Sequence, residues 1–491
     1  MDETVIDATE RVLSRLESNE EVAYAEVGGV ERHLSDAVIT RGTVRSSDDL
    51  AKTGVWWRVF ADGSADYRYV SSFDEAHLED MIERSIRAAK LLDQSSPVRY
   101  DPATMHRDSH PGWVTGPGSL REQTADEKAE RIRTAFADAL GGLDVERTRV
   151  SYRDESVETT VSTTTGTTVR TELERASADA VVVPSSGPKL RRHVGSTTGE
   201  EFLDTLPARF EELARRGRTV AETDKTPLGS TEEREVVFGP LAAGALIHQL
   251  SHYLEVDMLY FGSSPFELGD RVGPSSLSIE DTIRAGSWAA RAYDAEGRPT
   301  RPVSVVSNGR VVNHLYDVAA AIEEEAHPAG HAIPSLGFEN PPRIHARHLT
   351  VEPGNATRSE LCEGADVYVE RLGNPWIRNE ATRTKRESTM PPSVLYANDI
   401  AESTPSDFEG EHVEQEIHLP IEEAYVLRGG DRTALLVDGA IEFSLSDLQS
   451  ITALGANRRT LTGTCSKHKS VLPFAVTAPA VRLSTAIGED R

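Results

Sequence analysis

The chain has 491 residues, and 80 acidic side chains against 53 basic ones give it a net charge of -27. This length suggests two or three domains, and the charge opposes binding to nucleic acid or to an anionic membrane. Eight of the basic side chains are lysine and 45 are arginine. Acid excess with arginine preferred to lysine is typical of a halophilic protein from a salt-rich cytoplasm, although an ordinary acidic protein has a similar balance.

The two cysteines, Cys362 and Cys465, are too few for a disulfide framework, which favours a reducing compartment. The first residues are acidic and do not resemble a signal peptide. No apolar run approaches the roughly 20 residues that a membrane helix needs. These features predict a cytoplasmic protein without a membrane anchor.

The N-terminal half mixes helices and strands. Helices are predicted where apolar residues recur every three to four positions, and strands where they alternate. In chain order the pattern predicts a helix over 5–16, strands over 22–30, 54–60 and 67–70, a helix over 74–92, a loop over 95–124, a helix over 125–140, strands over 149–153, 158–173 and 178–183, and a helix over 199–216.

The polar stretch 221–234, with Pro227 and Gly229, indicates a domain boundary. A strand over 235–238, a helix over 240–259 and many short strands separated by turns follow it. The predicted fold class is α+β with two domains. Residues 1–222 form an N-terminal α/β sandwich-like domain, and residues 223–491 form a mostly β domain that carries the helix.

That helix contains two histidines with the spacing of a metal site. His248 and His252 are four residues apart and therefore share a face, as in helices that hold one zinc ion through two imidazoles. A zinc peptidase also needs a general base beside the first histidine, normally Glu, but the neighbour here is Gln249, which accepts no proton at neutral pH. Because the chain has 15 histidines, the spacing alone leaves both metal binding and chance open.

The residues around this helix resemble the TldD/PmbA family of metallopeptidases. The family sequence H-E-x-x-x-H-G-L-E-G-D, followed by G-S-S-x-F and V-G, is similar to Ser251–Asp257, Gly262–Phe266 and Val272-Gly273. Further similar segments are Asp294–Val311, Pro341–Arg343, Glu352–Gly354, Gly463–Lys467 with Leu472-Pro473, and Thr53–Val59 with the Gly63 turn. The resemblance thus extends over nearly the whole chain.

The resemblance implies that Cys465 is the third metal ligand beside His248 and His252, with zinc as the metal. It also implies unfolded or short peptides as substrates, and a homodimer or a heterodimer with a TldD/PmbA paralogue. Neither nucleic acid nor a membrane is expected as a partner.

The motif departs from the family pattern at the catalytic position. If His252 is the second histidine, the family's first histidine falls on Ile247 and its Glu on His248. If one residue was lost within the helix, His248 is the first histidine and Gln249 replaces Glu. We prefer the first alignment, because a deletion inside a helix rotates one side by about 100°. The family's G-R-R-E-S-like stretch is also not recognisable near residues 330–337.

Three functions follow from this mixture. The first is a zinc-dependent metallopeptidase, in which Glu255 orients His252 or replaces the missing base. The second is a non-catalytic PmbA/TldE-like subunit that pairs with an intact TldD-type peptidase. The third is a diverged peptide-binding protein without a partner. Glu255 is equally compatible with a solvated position on the helix surface.

The remaining candidates have plainer interpretations. Cys362 lies among carboxylates and is predicted to be a small buried hydrophobic residue. Four further histidines lie in a Pro- and Gly-rich region, where solvated loop positions are favoured over a second metal site. They are His327, His331, His345 and His348.

Overall fold

The computed structural model describes residues 1–61, 64–91, 109–114, 120–257, 266–373, 376–378, 416–467 and 470–489. A seven-stranded sheet occupies the N-terminal half, with its main strands in the order β3-β2-β1-β5-β6-β4 and β7 also beside β6. Its strands are β1 (Tyr24–Thr40), β2 (Thr43–Ala61), β3 (Ser64–Val70), β4 (Ser109–Val114), β5 (Val145–Thr163), β6 (Thr168–Pro184) and β7 (Leu190–Ser196). Its helices are α1 (Glu3–Glu17), α2 (Glu75–Leu91), α3 (Ala125–Ala139) and α4 (Glu201–Glu222), with a 3-10 turn at Leu120–Glu122.

All four helices pack on one face of this sheet, because alternate residues of its long strands point the same way. On β1, Ala25 and Val27 share an apolar cluster with residues of α1 and α2, whereas Ala37 and Ile39 share one with residues of α3 and α4. Tyr24, one residue out of phase, belongs to an aromatic cluster on the opposite face that also contacts the C-terminal half. The sheet therefore lies between its own helices and the second half of the chain.

A thirteen-stranded sheet forms the C-terminal half, with its main strands in the order β12-β11-β10-β15-β22-β9-β16-β18-β19-β8 and β17, β20 and β21 paired beside them. The strands in this half, including the separate pair β13-β14, are β8 (Lys225–Pro227), β9 (Glu232–Phe238), β10 (Ile279–Thr282), β11 (Val303–Ser307), β12 (Arg310–Val311), β13 (Ala332–Ile333), β14 (Arg343–Ile344), β15 (His348–Val351), β16 (Val367–Leu372), β17 (Trp376–Arg378), β18 (Glu416–Arg428), β19 (Asp431–Val437), β20 (Gly439–Phe443), β21 (Ala453–Lys467) and β22 (Ser470–Glu489). Its helices are α5 (Pro240–His252), α6 (Val318–Glu323) and α7 (Arg358–Cys362), with a 3-10 turn at Leu445–Ser450.

A buried ionic cluster joins the two halves. Arg58 on β2 donates to the Glu26 carboxylate on β1, and the closest approach between the two side chains is 2.7 Å. The same guanidinium contacts Glu296 and lies 3.6 Å from Asp317 at the start of α6. Since all these side chains are at most 8% exposed, the cation and the carboxylates neutralise each other in a setting shielded from bulk solvent.

The α+β fold class is confirmed, and several predicted element boundaries are wrong. The Thr-rich run over 158–173 contains a turn at 164–167 with Gly166 at a φ of 93°, so that β5 and β6 form a long hairpin. The helix predicted over 240–259 ends at His252. Most of the Gly262–Phe266 motif, the Gly63 turn and much of the predicted 95–124 loop lie outside the described residues. The division into domains at residue 222 stays a prediction.

Within the described part of the chain, no helix has both the length and the apolar character needed to cross a membrane.

Candidate metal centre

The helix α5 presents both histidines of the motif on one face. It begins after Gly239, where a Cβ atom would lie 2.7 Å from the Tyr368 hydroxyl, and Pro240 occupies its first turn. His248 and His252 follow at i and i+4, with 4.6 Å between their ring centroids. His248 is buried, whereas the side chain of His252 is 17% exposed. The predicted pair of imidazoles is therefore present, and the ring of His252 is partly exposed to solvent.

The hairpin of β21 and β22 brings Cys465 to these histidines. The Cys465 Sγ atom lies 3.4 Å from Nε2 of His252. Two residues earlier, Gly463 stands opposite Phe474, and a Cβ there would lie 2.6 Å from the Phe474 ring. Phe474 in turn stacks on His248, with ring centroids 3.6 Å apart and an angle of 6° between the planes. Gly463 thus leaves space for the aromatic ring that fixes His248 beside the thiol.

A third histidine, His345, completes the cluster. Its ring centroid lies 5.6 Å from that of His248 and 5.5 Å from that of His252. Its Nδ1 atom is 2.6 Å from the carbonyl oxygen of Ala346, to which it must donate, so the other ring nitrogen is left as an acceptor. One donor atom from each of His248, His252, His345 and Cys465 lies within 4.8 Å of all the others.

The carboxylate of Glu255 is buried behind the cluster and has three partners. It accepts from Nδ1 of His252 at 3.1 Å, from the Lys467 ammonium at 2.6 Å and from the backbone N–H of Ala346 at 3.2 Å. Lys467 also donates to Asp257 at 2.8 Å. This arrangement orients the His252 ring, because Nδ1 donates to Glu255 while Nε2 faces the thiol.

The donor atoms fit a metal ion. Nδ1 of His248 and Nε2 of His345 are buried and have no hydrogen-bond partner, and such atoms are rare unless a water or an ion satisfies them. Three imidazoles and one thiolate are a set that zinc accepts in tetrahedral geometry. His248, His252, His345 and Cys465 would therefore hold the ion that the family resemblance implies.

The protonation states suit the same purpose. Burial lowers the pKa of His248 to about 4, so that this ring is neutral and able to bind a metal. Burial by itself would raise the pKa of the Cys465 thiol, but His252, His248 and His345 hold it well below its ordinary value. Burial also opposes the charge on His252, yet Glu255 and Cys465 raise its pKa to about 10.

Some interpretations of single residues need correction. Glu255 is not a solvated surface residue, since it is completely buried. The prediction of solvated loop histidines is correct for His327 but wrong for His331, His345 and His348, which are at most 2% exposed. His331 contacts Asp281 at 2.7 Å, and His348 contacts Ser287 and Thr477. These residues are buried because short strands that are distant in sequence pair with one another. Local sequence patterns do not reveal such pairing. Cys362 is buried in an apolar cluster, as predicted.

Comparisons with known proteins agree with this geometry. Residues 231–385 match the family described as the PmbA/TldA metallopeptidase C-terminal domain. A protein named metalloprotease from Methanothermobacter thermautotrophicus is 25% identical over 356 residues, which are 68% of this chain and 75% of that protein.

Solved structures share the fold across nearly the full length. A proposed DNA gyrase modulator from Thermotoga maritima has a TM-score of 0.69 and 18% identity, and covers 98% of this chain and 100% of its own. One from Bacteroides thetaiotaomicron has a TM-score of 0.72, 14% identity and 99% coverage of both chains. TldE from Thermococcus kodakarensis has a TM-score of 0.67 and 15% identity, and covers 98% and 100% of the two chains. The matched C-terminal domain and the metalloprotease relative support a place for this chain in the TldD/PmbA family, and the solved structures show that the fold is shared.

Proposed function

We propose that this chain is a zinc-holding, non-hydrolytic subunit of a TldD/PmbA-type peptidase assembly. It would help to bind unfolded or short peptides beside a partner, a paralogue or a second copy, in which the catalytic motif is intact. The observation that carries this proposal is the number of donors. One donor atom from each of four side chains lies within 4.8 Å of the other three, and zinc with four protein ligands is structural, whereas catalytic zinc keeps one position for water.

The absence of a general base supports the same conclusion. Gln249, next to the first histidine, cannot take a proton from water. Glu255 contacts the cluster, but His252, Lys467 and Ala346 already occupy its oxygens, and Lys467 and His252 help hold its pKa well below the ordinary value against the effect of burial. A carboxylate in this state orients a ligand and does not collect protons. A missing base costs roughly 10²–10⁴-fold in rate.

The hairpin strand β21 is a candidate surface for the peptide. Within the described residues it pairs along its length only with β22, apart from an isolated bridge at Gly455. Residues 458–466, which lead to Cys465, are exposed or half-buried. An extended peptide adds to such an edge through backbone hydrogen bonds, which require no particular side chains and therefore suit unfolded substrates.

Hydrolysis by this chain itself is the second candidate. Its support is the partial exposure of His252 and Cys465, which leaves the cluster open to solvent on one side. A bound zinc would polarise a peptide carbonyl and acidify a water molecule if one protein ligand left its position. Glu255 would then keep Nδ1 of His252 protonated while Nε2 binds the metal.

Metal content and peptidase activity distinguish these functions. Zinc would be measured by mass spectrometry in protein purified at high salt, in parallel with the double variant His252→Ala/Cys465→Ala. The matched control is His33→Ala/Cys362→Ala, which removes one histidine and one cysteine far from the cluster. We expect one zinc per chain in the natural protein and the control, and none in the site variant.

The activity assay uses a denatured, fluorescently labelled protein as substrate, with the chain alone and with added paralogue from the same cell. We expect no hydrolysis by the chain alone, and hydrolysis in the mixture. Zinc-dependent hydrolysis by the chain alone, lost in the site variant, would establish the second candidate. A protein that binds no zinc in any of these preparations would contradict both.

A further inference from the structure

A cleft between the two halves of the molecule is lined by arginines. Its volume is about 800 Å³, and its walls are β7 and α4 from the N-terminal half and β16, β21 and the segment 284–288 from the C-terminal half. This volume lies within the range of small-molecule sites, roughly 300–1,000 Å³. Six guanidinium groups line it, those of Arg192, Arg209, Arg284, Arg371, Arg458 and Arg459. In a chain with a net charge of -27, such a concentration of positive charge is unexpected.

Two of these arginines are buried without full hydrogen bonding. Arg192 and Arg371 are each 8% exposed, and the Nε–H group of each has no hydrogen-bond partner. In the described part of the chain, no carboxylate lies within ion-pair distance of Arg371. A buried guanidinium normally finds partners for its donors, because an unpaired one is costly.

The neighbouring arginines increase the energetic cost of burying the Arg192 and Arg371 guanidinium groups. Burial lowers the pKa of Arg371 to about 9, and the positive charges of Arg216 and Arg192 contribute. Burial likewise lowers the pKa of Arg192 to about 10, although Glu212 partly offsets the repulsion from Arg459 and Arg209. Like charges that repel in a water-poor cleft are stabilised by an anion placed between them.

The carboxylates near the cleft leave a positive excess. Glu212 accepts from Arg459 and lies 3.3 Å from Arg192, so one acid serves two cations. Glu370 is 3.8 Å from Arg459 but is bound more closely, at 2.7 Å, by Arg432 outside the lining. Among the described lining residues, the acidic side chain is Glu201. At least three of the six lining charges therefore lack a carboxylate.

We propose that this cleft binds a polyanionic small ligand, one that carries two or more phosphoryl or carboxylate groups. Guanidinium groups hold such oxyanions through pairs of parallel hydrogen bonds, and the free Nε–H groups of Arg192 and Arg371 supply donors for them. The hydroxyl groups of Thr198 and Thr460 line the same cleft, and each shares a hydrogen bond with a neighbouring hydroxyl group, that of Ser196 and that of Thr477. Because both halves of the chain contribute arginines, the ligand also links the two halves.

This site is separate from the metal centre and does not rest on the proposed function. The cleft lining on β21 ends at Thr462, three residues before Cys465, and a strand covers that interval in roughly 10 Å. The cleft shares residues 458–462 with the peptide edge of β21, but none of the four metal ligands lines it. A ligand of a few phosphoryl groups in the cleft would therefore leave the four metal ligands untouched.

The test measures binding of sodium tripolyphosphate, and separately of a tetra-aspartate peptide, to the full chain by calorimetry at one fixed ionic strength. The first variant is Arg209→Gln/Arg458→Gln, which changes two exposed lining residues and preserves the folded state. The second is Arg371→Gln, which removes the buried unpaired cation. The control is Arg84→Gln/Arg87→Gln on α2, which changes the net charge equally at two exposed positions that pair with Asp80 and Glu83.

We expect binding of at least one of the two probes to weaken tenfold or more in Arg209→Gln/Arg458→Gln and in Arg371→Gln, and less than twofold in the control. The probe that binds more tightly identifies phosphoryl or carboxylate groups as the natural chemistry. The inference is overturned if neither probe binds the natural protein. It is equally overturned if the control weakens binding as much as the cleft variants do. Thermal unfolding of each variant verifies that it is folded at the temperature of the measurement.

Discussion

Lys467→Met is the substitution that most directly tests the charge arrangement behind the metal centre. The ammonium group lies 2.6 Å from Glu255, 2.8 Å from Asp257 and 2.8 Å from the carbonyl oxygen of Ile344, so its three donors are all used. Its side chain is 6% exposed, and the two carboxylates are at most 2% exposed. Burial alone would lower the pKa of Lys467, but Asp257 and Glu255 keep it above the ordinary value.

Removal of this cation takes from two neighbouring buried carboxylates the ammonium group that they share. Loss of one partner from a buried ion pair typically costs about 3–5 kcal/mol, and we expect a loss of that size in the free energy of unfolding. The double variant Lys467→Met/Asp257→Asn removes one of the two stranded charges. It should therefore be more stable than Lys467→Met alone, by about 1–3 kcal/mol, because the two residues are directly coupled.

Urea unfolding at high salt, followed by tryptophan fluorescence, measures these differences by linear extrapolation. Lys52→Met is the matched control, since Lys52 is 46% exposed and forms one long ion pair, at 3.5 Å, with Glu339. An exposed pair contributes about 0–1 kcal/mol. The reasoning is refuted if Lys467→Met costs less than about 1 kcal/mol, or if the added Asp257→Asn change brings no recovery.

Three further predictions concern the fold and the surface. Burial, only partly offset by Arg58, raises the pKa of Glu26 to about 7, so the folded state holds a proton that the unfolded chain releases near pH 4.5. The free energy of unfolding should therefore fall as pH rises from about 4.5 to about 7. Unfolding midpoints at pH 5 and 7.5 should differ less in Glu26→Gln than in the natural protein. Gly28→Ala places a Cβ atom 2.1 Å from the Trp56 ring and should lower the free energy of unfolding in urea by about 1–3 kcal/mol. In the control Gly229→Ala the new Cβ has no atom within 4 Å, and stability should change by less than about 0.5 kcal/mol. If the net charge of -27 reflects adaptation to salt, the melting temperature should rise between 0.2 and 2 M KCl, and a constant melting temperature would contradict the halophilic interpretation.

The sequence identified those parts of the site that depend on local spacing. His248 and His252 fall on one helix, and the i, i+4 interval by itself requires that they share a face. The assignment of Cys465 came from the resemblance of Gly463–Lys467 to a family motif, and the structure brings its sulfur to His252. In both cases a short run of residues contains the information.

His345 could not be found in this way. It lies in a segment with no helical or strand periodicity, and it reaches the cluster through contacts that are distant in sequence. Its backbone N–H donates to the carbonyl of His331, and the N–H of its neighbour Ala346 donates to Glu255, 91 positions earlier. The available signal was the similarity of Pro341–Arg343 to a family segment, which marks the region without distinguishing which of its histidines turns inward.

The missed turn between β5 and β6 has a different cause. Nearly every residue from Thr159 to Thr171 favours a strand, so propensity alone predicts one continuous element. The single contrary residue is Gly166, which adopts a φ of 93° that other residues reach only with strain. The glycine within a run of threonines was therefore the turn signal. It outweighs the strand propensity of the β-branched residues on both sides, because one residue with a positive φ is enough for the hairpin to turn.

The position of His248 connects the motif's departure from the family pattern with the proposed non-hydrolytic function. In the alignment that leaves the helix unbroken, His248 stands where the family has its catalytic Glu, and Ile247 stands where it has its first histidine. The lost histidine would leave the metal with too few ligands, but His345 enters from another segment and His248 turns its ring to the same point. On this proposal, a substitution that removed the base would also have added a ligand. The site would retain its metal and lose the open position for water.

The variant His248→Glu should therefore bind zinc more weakly than the natural chain. It would also gain a carboxylate at the position where peptide hydrolysis requires one. Measurable zinc-dependent peptidase activity in His248→Glu, absent from the natural chain, would support this account, whereas an inactive variant that still binds zinc would contradict it.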